Sequence, residues 1–442
     1  DGRRSVGPRW FPQVGPQRRD AWRLAMAGRR RRRRRHPQHV AVCAPAASLA
    51  VWLCALAVAL VAICGGAAVR GDERQISVVD GDGDARCEVV DDSGAVVVDE
   101  TITTSSRGVR VRCNALPVAL ALLDHHRGDV VSLDREVIPW PTSSLTVTNA
   151  TGLRVRGNGN TVSCAGEESG CNAYIVFAEC RDVELSELTF ADNARETWTL
   201  WVSRSTEPGT IKFTDLDFVN VRMGIYLDKS ILYPAALELR NLRFIDVPET
   251  CVDVLTSATV LLHNVEITSA RPMTRAAIRL AGIAHYGYDN ITLGDDTGSV
   301  LLSDVRVSDL YSDTQSTLSP LYIALSQNSF SHEARVNITV ADCQFRNISL
   351  SGSATYVSGT GSTVVFTKCK WTDNEETNNE GGAVTLVNTY GTVRFEECTF
   401  ENNEGRASGG AVSVEQNSDV HFEKCVFTGN SARRGGAIYT ES

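Results

Sequence analysis

The sequence predicts an all-β solenoid, on three observations. A short apolar template recurs nine times, its period within each copy is two, and no copy is long enough to bury a face alone. The template, apolar-x-apolar-x-x-apolar-x-apolar, starts at Val183, Ile211, Leu237, Val260, Val300, Ile338, Val364, Val393 and Val420. Successive starts lie 28, 26, 23, 40, 38, 26, 29 and 27 residues apart, a repeat with two long insertions.

Alternation inside each apolar pair is strand periodicity, and the two-residue gap between pairs is where a bend shifts the register. Each unit therefore reads as two short strands around a corner. A third strand follows a polar turn, as in "TLWV" (199–202), "GIYL" (224–227), "CVDVL" (251–255), "AAIRL" (276–280) and "LYIAL" (321–325). Three short strands per unit gain a continuous core only by stacking, with neighbouring units paired in parallel. A parallel β-helix results. Helical repeats are excluded by the period of two and by the Thr, Val and Phe that fill the units.

Upstream, "SLTVTNATGLRVRGNGNTVSC" reads as an earlier, less regular coil. Before it, Leu116, Leu120 and Leu123 lie at helical spacing behind Asn114, a short N-terminal capping helix over the open end of the core. Residues 109–442 are thus assigned to the solenoid and 70–108 to an acidic linker or loose cap.

The N-terminal segment is different in kind. Residues 1–40 hold thirteen basic residues and two acidic ones, while the remainder holds 31 basic against 51 acidic, about -20. So acidic a body argues against nucleic acid as a partner. Residues 1–25 precede the first methionine, Met26, and read as a leader or gene-model artefact. Residues 26–69 carry an arginine run and an apolar stretch from Val40 to Ile63, the order of a signal peptide or, uncleaved, of a transmembrane signal anchor. Either places the body outside the cell, secreted or at the surface. The sequons at Asn149, Asn290, Asn337 and Asn347 are glycosylation candidates on that route.

The final three units add motifs: "CKWTDN…GGAV", "CTFENN…GGAV" and "CVFTGN…GGAI". These resemble the GGA(I/V/L) and FxxN repeats of the chlamydial polymorphic outer-membrane proteins and of related right-handed, pectin-lyase-like β-helix proteins of algae and protists. By position, FxxN is Phe400 with Asn403 and Phe427 with Asn430, and the glycine pairs are Gly409 with Gly410 and Gly435 with Gly436. Trp371 with Asn374 replaces the aromatic, and the copy at Phe345 has Ile348 where Asn belongs. The match covers residues 364–442. The resemblance implies a right-handed surface rod used in adhesion or binding, with no cofactor. Asn430 is expected at a bend, in left-handed backbone or bonded to its own chain, and the glycine pair is expected to release the next turn. A chain ending at Ser442 stops inside a repeat, so further coils or a cap are expected beyond it.

Other features are weighed against plainer readings. Cys343, Cys369, Cys398 and Cys425 share one template position, a buried thiol ladder or a set of cross-coil disulfides. Cys164 and Cys171 flank a loop that a disulfide would close, with Cys180 as the alternative partner. Asp80, Asp82 and Asp84 have the spacing of the first calcium ligands of an EF-hand loop, but Ala85 replaces the turn glycine and no helices flank it, so a solvated acidic linker is preferred. Two RGD tripeptides (70–72 and 127–129) read as turns. Enzymes on this fold need paired carboxylates across one face. Within the longest insertion His285, Asp289, Asp295 and Asp296 are candidates, although only the "GDD" of the polygalacturonase set is present. No metal or cofactor is called for otherwise. The preferred reading is non-catalytic, a rod that binds a glycan or extracellular protein through the insertions at Arg271 to Ser299 and Tyr311 to Arg335; Tyr286, Tyr288 and Tyr311 there are compatible with sugar stacking, although ordinary loop packing is the preferred account of them. The alternative is a polysaccharide-active lyase, hydrolase or epimerase.

Overall fold

The computed structural model describes residues 75–78, 87–89, 110–113, 130–133, 137–139, 144–163, 174–193, 198–203, 209–228, 236–254, 259–281, 299–312, 319–324, 337–358, 363–378, 381–389, 391–416 and 418–441. All lie in one compact unit, Arg70–Ser442. Up to residue 139 the description is of backbone, with Leu133 buried. The capping helix and the apolar run from Val40 lie outside the described residues. Among the described residues no helix is long and apolar enough to cross a membrane.

Those residues form a right-handed parallel β-solenoid; the repeat predicts the parallel solenoid, and the resemblance its hand. One sheet has eleven strands, one per coil, beginning at Leu145–Thr148 and ending at Ile438–Glu441, with every neighbouring pair parallel. The rest of each coil joins a second, larger set of paired strands. Strands Gln75–Val78 and Cys87–Val89, from the stretch read as a linker or loose cap, pair at its N-terminal end.

The corner inside each template is built by one residue in left-handed backbone. Glu187, Asp215, Asn241, Asn264, Asp304, Asp342, Lys368, Glu397 and Lys424, each four residues after its template start, all have φ between 52° and 58°. Five of these nine are Asn or Asp, the side chains that tolerate this conformation best. Their amides also bond from coil to coil, Asn241 Nδ2 to Asp215 Oδ1 at 2.8 Å and Asn264 Nδ2 to Asn241 Oδ1 at 2.9 Å. In the earlier units the strand runs through this corner unbroken, as in Thr210–Val219 and Ala236–Ile245. From Asn337 on it divides into two strands, and the break falls at the cysteine. There each thiol leans on the carbonyl two residues back, for example Cys343 Sγ to Ala341 O at 3.2 Å and Cys398 Sγ to Glu396 O at 3.4 Å.

Exact register puts like side chains over like. Phe190, Phe218 and Phe244 stack at 5.4 and 4.7 Å between ring centres, and Phe366, Phe395 and Phe422 at 4.9 and 5.0 Å. Each such ring removed from water contributes about 1.5–3 kcal/mol, with a further increment from offset stacking.

The structure corrects the expectation for Asn430. The left-handed residue of the second bend is the one before it, Asp373, Asn402 and Gly429 in successive coils, with φ of 53°, 53° and 66°. Asn374 and Asn403 are buried and Asn430 is partly so. Their amides bond across coils: Asn374 Nδ2 donates to Asn403 Oδ1 at 2.8 Å, and Asn403 Nδ2 donates to Asn430 Oδ1 at 2.9 Å. A carbonyl in the coil behind takes the second amide hydrogen, Phe345 O, Trp371 O and Phe400 O in turn. An inward amide needs partners, and the neighbouring coil supplies them.

The two glycines of the pair have separate reasons. Gly409 and Gly435 have φ of 63° and 60°, a conformation only glycine adopts without strain. Gly410 does not, but a Cβ there would lie 2.1 Å from Gly436 O, so backbone of the next coil occupies the space.

Candidate recognition face

The eleven-stranded sheet turns alternate residues inward and outward. The inward ones are core, among them Leu200, Ile225, Val252, Ile278 and Leu321, each at most 0% exposed. Between them, register aligns one outward column: Val176, Trp201, Tyr226, Asp253, Arg279, Tyr322 and Tyr356. Polar residues are the usual occupants of such positions, and four of these seven are aromatic.

At one end Trp198 stacks on Tyr226, ring centres 4.9 Å apart and planes 14° apart, while Trp201 meets Tyr226 edge-on at 5.6 Å and Tyr174 at 5.8 Å. The Trp201 indole N–H is shielded from water and has no hydrogen-bond partner among the described residues. At the other end Tyr322 and Tyr356 stack at 5.2 Å and 3°. Asp253 and Arg279 fill the two coils between. Arg279 donates through Nε to Asp253 Oδ1 at 2.9 Å and through Nη2 to Oδ2 at 2.5 Å. Tyr226 and Tyr322 are three strand steps apart, roughly 14 Å. Aromatic rings thus lie on both sides of a paired carboxylate and guanidinium along one column.

Asp253 is only 2% exposed. Burial pushes its carboxyl above the usual range, and the bonds from Arg279 pull it back by less. The partner guanidinium is held up by the same bonds. Burial, then the nearby Asp228 and Asp253 carboxylates, raise the Tyr226 phenol, which stays neutral. Beside this pair, buried Glu249 is held by Arg222 Nε at 2.5 Å and by Arg275 Nε at 3.4 Å.

Arg279→Ala leaves the Asp253 carboxylate buried without its partner, and a loss of about 2 kcal/mol is expected, below the roughly 3–5 kcal/mol for breaking a fully buried pair because Arg279 is half-exposed. The sign with pH follows from the raised carboxyl. A folded-state pKa above the unfolded one contributes stability fully present below the unfolded value and lost as pH rises through the folded value. Without Arg279 that pKa rises further, so the deficit against the parent chain, from urea midpoints, should be larger at about pH 7 than at about pH 4. Asp253→Asn added to Arg279→Ala should recover most of it at the higher pH. A deficit independent of pH and unrelieved by Asp253→Asn would show that the arginine stem, not its charge, matters.

The sequence-derived candidates are distributed as follows. His285, Asp289, Asp295, Asp296, Tyr286 and Tyr288 lie outside the described residues, as do Asp80, Asp82, Asp84, Asn290, Cys164 and Cys171. Among the described residues no cluster of metal-ligating side chains occurs. Asn149, Asn337 and Asn347 are exposed. Asn347 Nδ2 bonds Asp309 Oδ1 at 2.6 Å, which with Ser308 holds that carboxyl below its usual range. Tyr311 is 42% exposed, its hydroxyl donating to Ala270 O at 3.1 Å. Phe400, Asn403, Gly409 and Gly410 are core or turn residues, and Phe427, Asn430, Gly435 and Gly436 repeat them in the last coil. Cys343, Cys369, Cys398 and Cys425 are free thiols; the thiols beside Cys369, together with burial, push its pKa up. Cys180 lies in the core, its Sγ 3.3 Å from Val147 O.

The aromatic column was not singled out in the sequence. Its signal is present, since the middle residues of "LWV", "IYL", "LYI" and "TYV" are the aromatics. The insertions, Arg271 to Ser299 and Tyr311 to Arg335, contain strands Ile278–Ala281 and Leu321–Ala324, whose outward residues include Arg279 and Tyr322.

A second feature is an open groove along the last coils, lined by Glu375, Glu376, Glu404, Arg406 and Arg433 among others. Glu375 and Glu404 are register partners in neighbouring coils. Glu376 is buried and accepts from the backbone of Asn378 and Arg406.

Fold and face together define a β-helix protein. Residues 325–442 match the family model described as right handed beta helix region. No curated protein matches the chain. No solved structure matches it either.

Proposed function

We propose that this chain is an extracellular or cell-surface β-helix protein, non-catalytic, that works as a recognition rod and takes a glycan on the outward face between Tyr226 and Tyr322. The single observation that carries the reading is the outward column itself, with aromatic rings on two sides of a paired carboxylate and guanidinium. A saccharide is apolar on its ring faces and polar at its rim, and a site for it needs both. The exposed sequons and the basic, then apolar, N-terminal segment support the route to the outside. The GGA and FxxN motifs support the likeness to the chlamydial surface repeats.

The test is a panel of neutral and acidic polysaccharides against the purified chain, with Tyr322→Ala and Tyr226→Ala as variants. Each ring face is worth on the order of 1 kcal/mol, so each variant should weaken a bound glycan about five- to tenfold, and the Tyr311→Ala control should not. Retained affinity in both tyrosine variants would remove the column from the reading. Binding only to an extracellular protein would replace the glycan by the other class of ligand expected for the rod.

A polysaccharide-active enzyme remains the second reading, because Glu375 and Glu404 share a groove with Arg406. Cleavage of uronic-acid polymers that disappears in Glu404→Gln or in Asp295→Ala would replace the non-catalytic reading.

A further inference from the structure

We infer that Cys87 and Cys113 form a disulfide that closes the N-terminal end of the coil stack. Strand Cys87–Val89 runs antiparallel to Arg110–Cys113, the one antiparallel pairing among the described strands. Its register sets Cys87 directly opposite Cys113, Glu88 opposite Arg112 and Val89 opposite Val111.

Directly opposed residues of an antiparallel pair have Cα atoms about 4.5–5.5 Å apart, inside the span of about 4.4–6.8 Å that a disulfide bridges. The core cysteines offer a contrast within the same chain. Cys343, Cys369, Cys398 and Cys425 recur in adjacent parallel coils and are free thiols. Parallel neighbours keep Cβ atoms one strand spacing apart, about 4.8 Å, wider than a disulfide accepts. Only at Cys87 and Cys113 does the topology reverse one strand, and both opposed positions there are cysteine. The flanking pairs favour the same register, because opposite charges and β-branched residues are good cross-strand partners and a one-residue slip would lose both.

The rest of the cysteine inventory agrees. Cys180, Cys251, Cys343, Cys369 and Cys398 are buried in the stack and Cys425 is partly so. Cys164 and Cys171 are the two ends of one short loop, which leaves Cys87 and Cys113 as the remaining pair of the body. Strand Arg110–Cys113 also pairs in parallel with Gln75–Val78 and Val130–Leu133, so the bond would tie the reversed strand into the N-terminal group of strands.

The bond forms by exchange with a disulfide-bearing oxidant. One cysteine thiolate attacks the oxidant's disulfide, forming a mixed disulfide and expelling one thiolate; the second cysteine thiolate attacks the mixed disulfide and expels the other, so that with glutathione disulfide two glutathione thiols carry away the two electrons and the two protons that the cysteines lose. This chemistry needs no assumption about the cell, so it is testable apart from the extracellular reading.

The reduced, purified full chain is oxidised with glutathione disulfide, blocked with a maleimide and mapped as non-reduced peptides. The expected result is a peptide joining Cys87 to Cys113, absent after reduction, with the core thiols labelled only on denaturation. In Cys113→Ser, labelling of Cys87 should rise from none to complete; the parent map serves on its own if that variant does not fold. Both cysteines labelled in the oxidised folded parent, or Cys87 joined to another cysteine, would overturn the inference. The bond found after oxidation in vitro but missing from chain made by secreting cells would keep it and count against the extracellular reading.

Discussion

Trp371→Ala should destabilise the chain by about 4 kcal/mol, as expected for truncating a fully buried indole. Trp371 is 0% exposed and stacks between Phe345 at 5.6 Å and Phe400 at 4.7 Å. Phe366 and Phe395 meet it edge-on at 5.6 and 6.0 Å, and its Nε1 donates to Thr355 Oγ1 at 3.0 Å. Alanine removes the ring from both columns and leaves the buried threonine hydroxyl without its donor. Trp371→Phe keeps the stack, since phenylalanine fills this position in the coils on either side, and should cost about 1 kcal/mol for the lost hydrogen bond. Solenoid coils contact only their neighbours, so the loss should be concentrated around the coils of Phe345 and Phe400. Hydrogen exchange resolved by peptide checks both points. Equal losses in the two variants, or protection lost evenly from Leu145 to Glu441, would contradict the stacked-column account.

Asn403→Ala should cost about 3 kcal/mol, and Asn374→Ala distinctly less, about 1–2 kcal/mol, from the price of unsatisfied buried polar groups. Asn403 is the middle of the amide ladder: its Oδ1 accepts from Asn374 Nδ2 and its Nδ2 donates to both Trp371 O and Asn430 Oδ1. Removing it leaves polar groups unpaired on both sides. Asn374 ends the ladder, because the same position one coil back is the apolar Ile348, and its Oδ1 is buried with no hydrogen-bond partner among the described residues. It therefore has fewer bonds to lose. Denaturant midpoints of the two variants would decide this, and an equal or larger loss at Asn374 would mean that the ladder does not act as a chain.

Asn430 and Tyr226 show how much was legible beforehand. The template identified Val420, Phe422, Cys425 and Phe427 as the inward positions of one coil, because spacing alone sorts inward from outward positions in a strand. It did not distinguish the left-handed bend residue from the asparagine beside it. Asn and Asp fit either role, and only the neighbouring coil decides whether an amide has partners inside. The third strand of the coil at Thr355–Ser358 was also passed over, since "TYVS" is short and its polar ends carry no contrast. Tyr226 was placed on a strand correctly, yet its neighbours across the sheet, Trp201 and Asp253, are 25 and 27 residues away in the chain. No local pattern reports such a neighbour.

By itself, then, the sequence determined the coil: a repeat of apolar pairs dictates parallel stacking, since no other arrangement buries every copy. The tertiary structure decided what each coil sets against the next. Repeat lengths from 23 to 40 residues mean that register is settled by hydrogen bonding between strands, not by counting. That register gathers Trp201, Tyr226, Asp253, Arg279 and Tyr322 into one outward column, and in the other set of strands a reversed strand sets Cys87 across from Cys113. Side chains meet across sheets through backbone pairing, a relation carried by distance in space and not by distance along the chain.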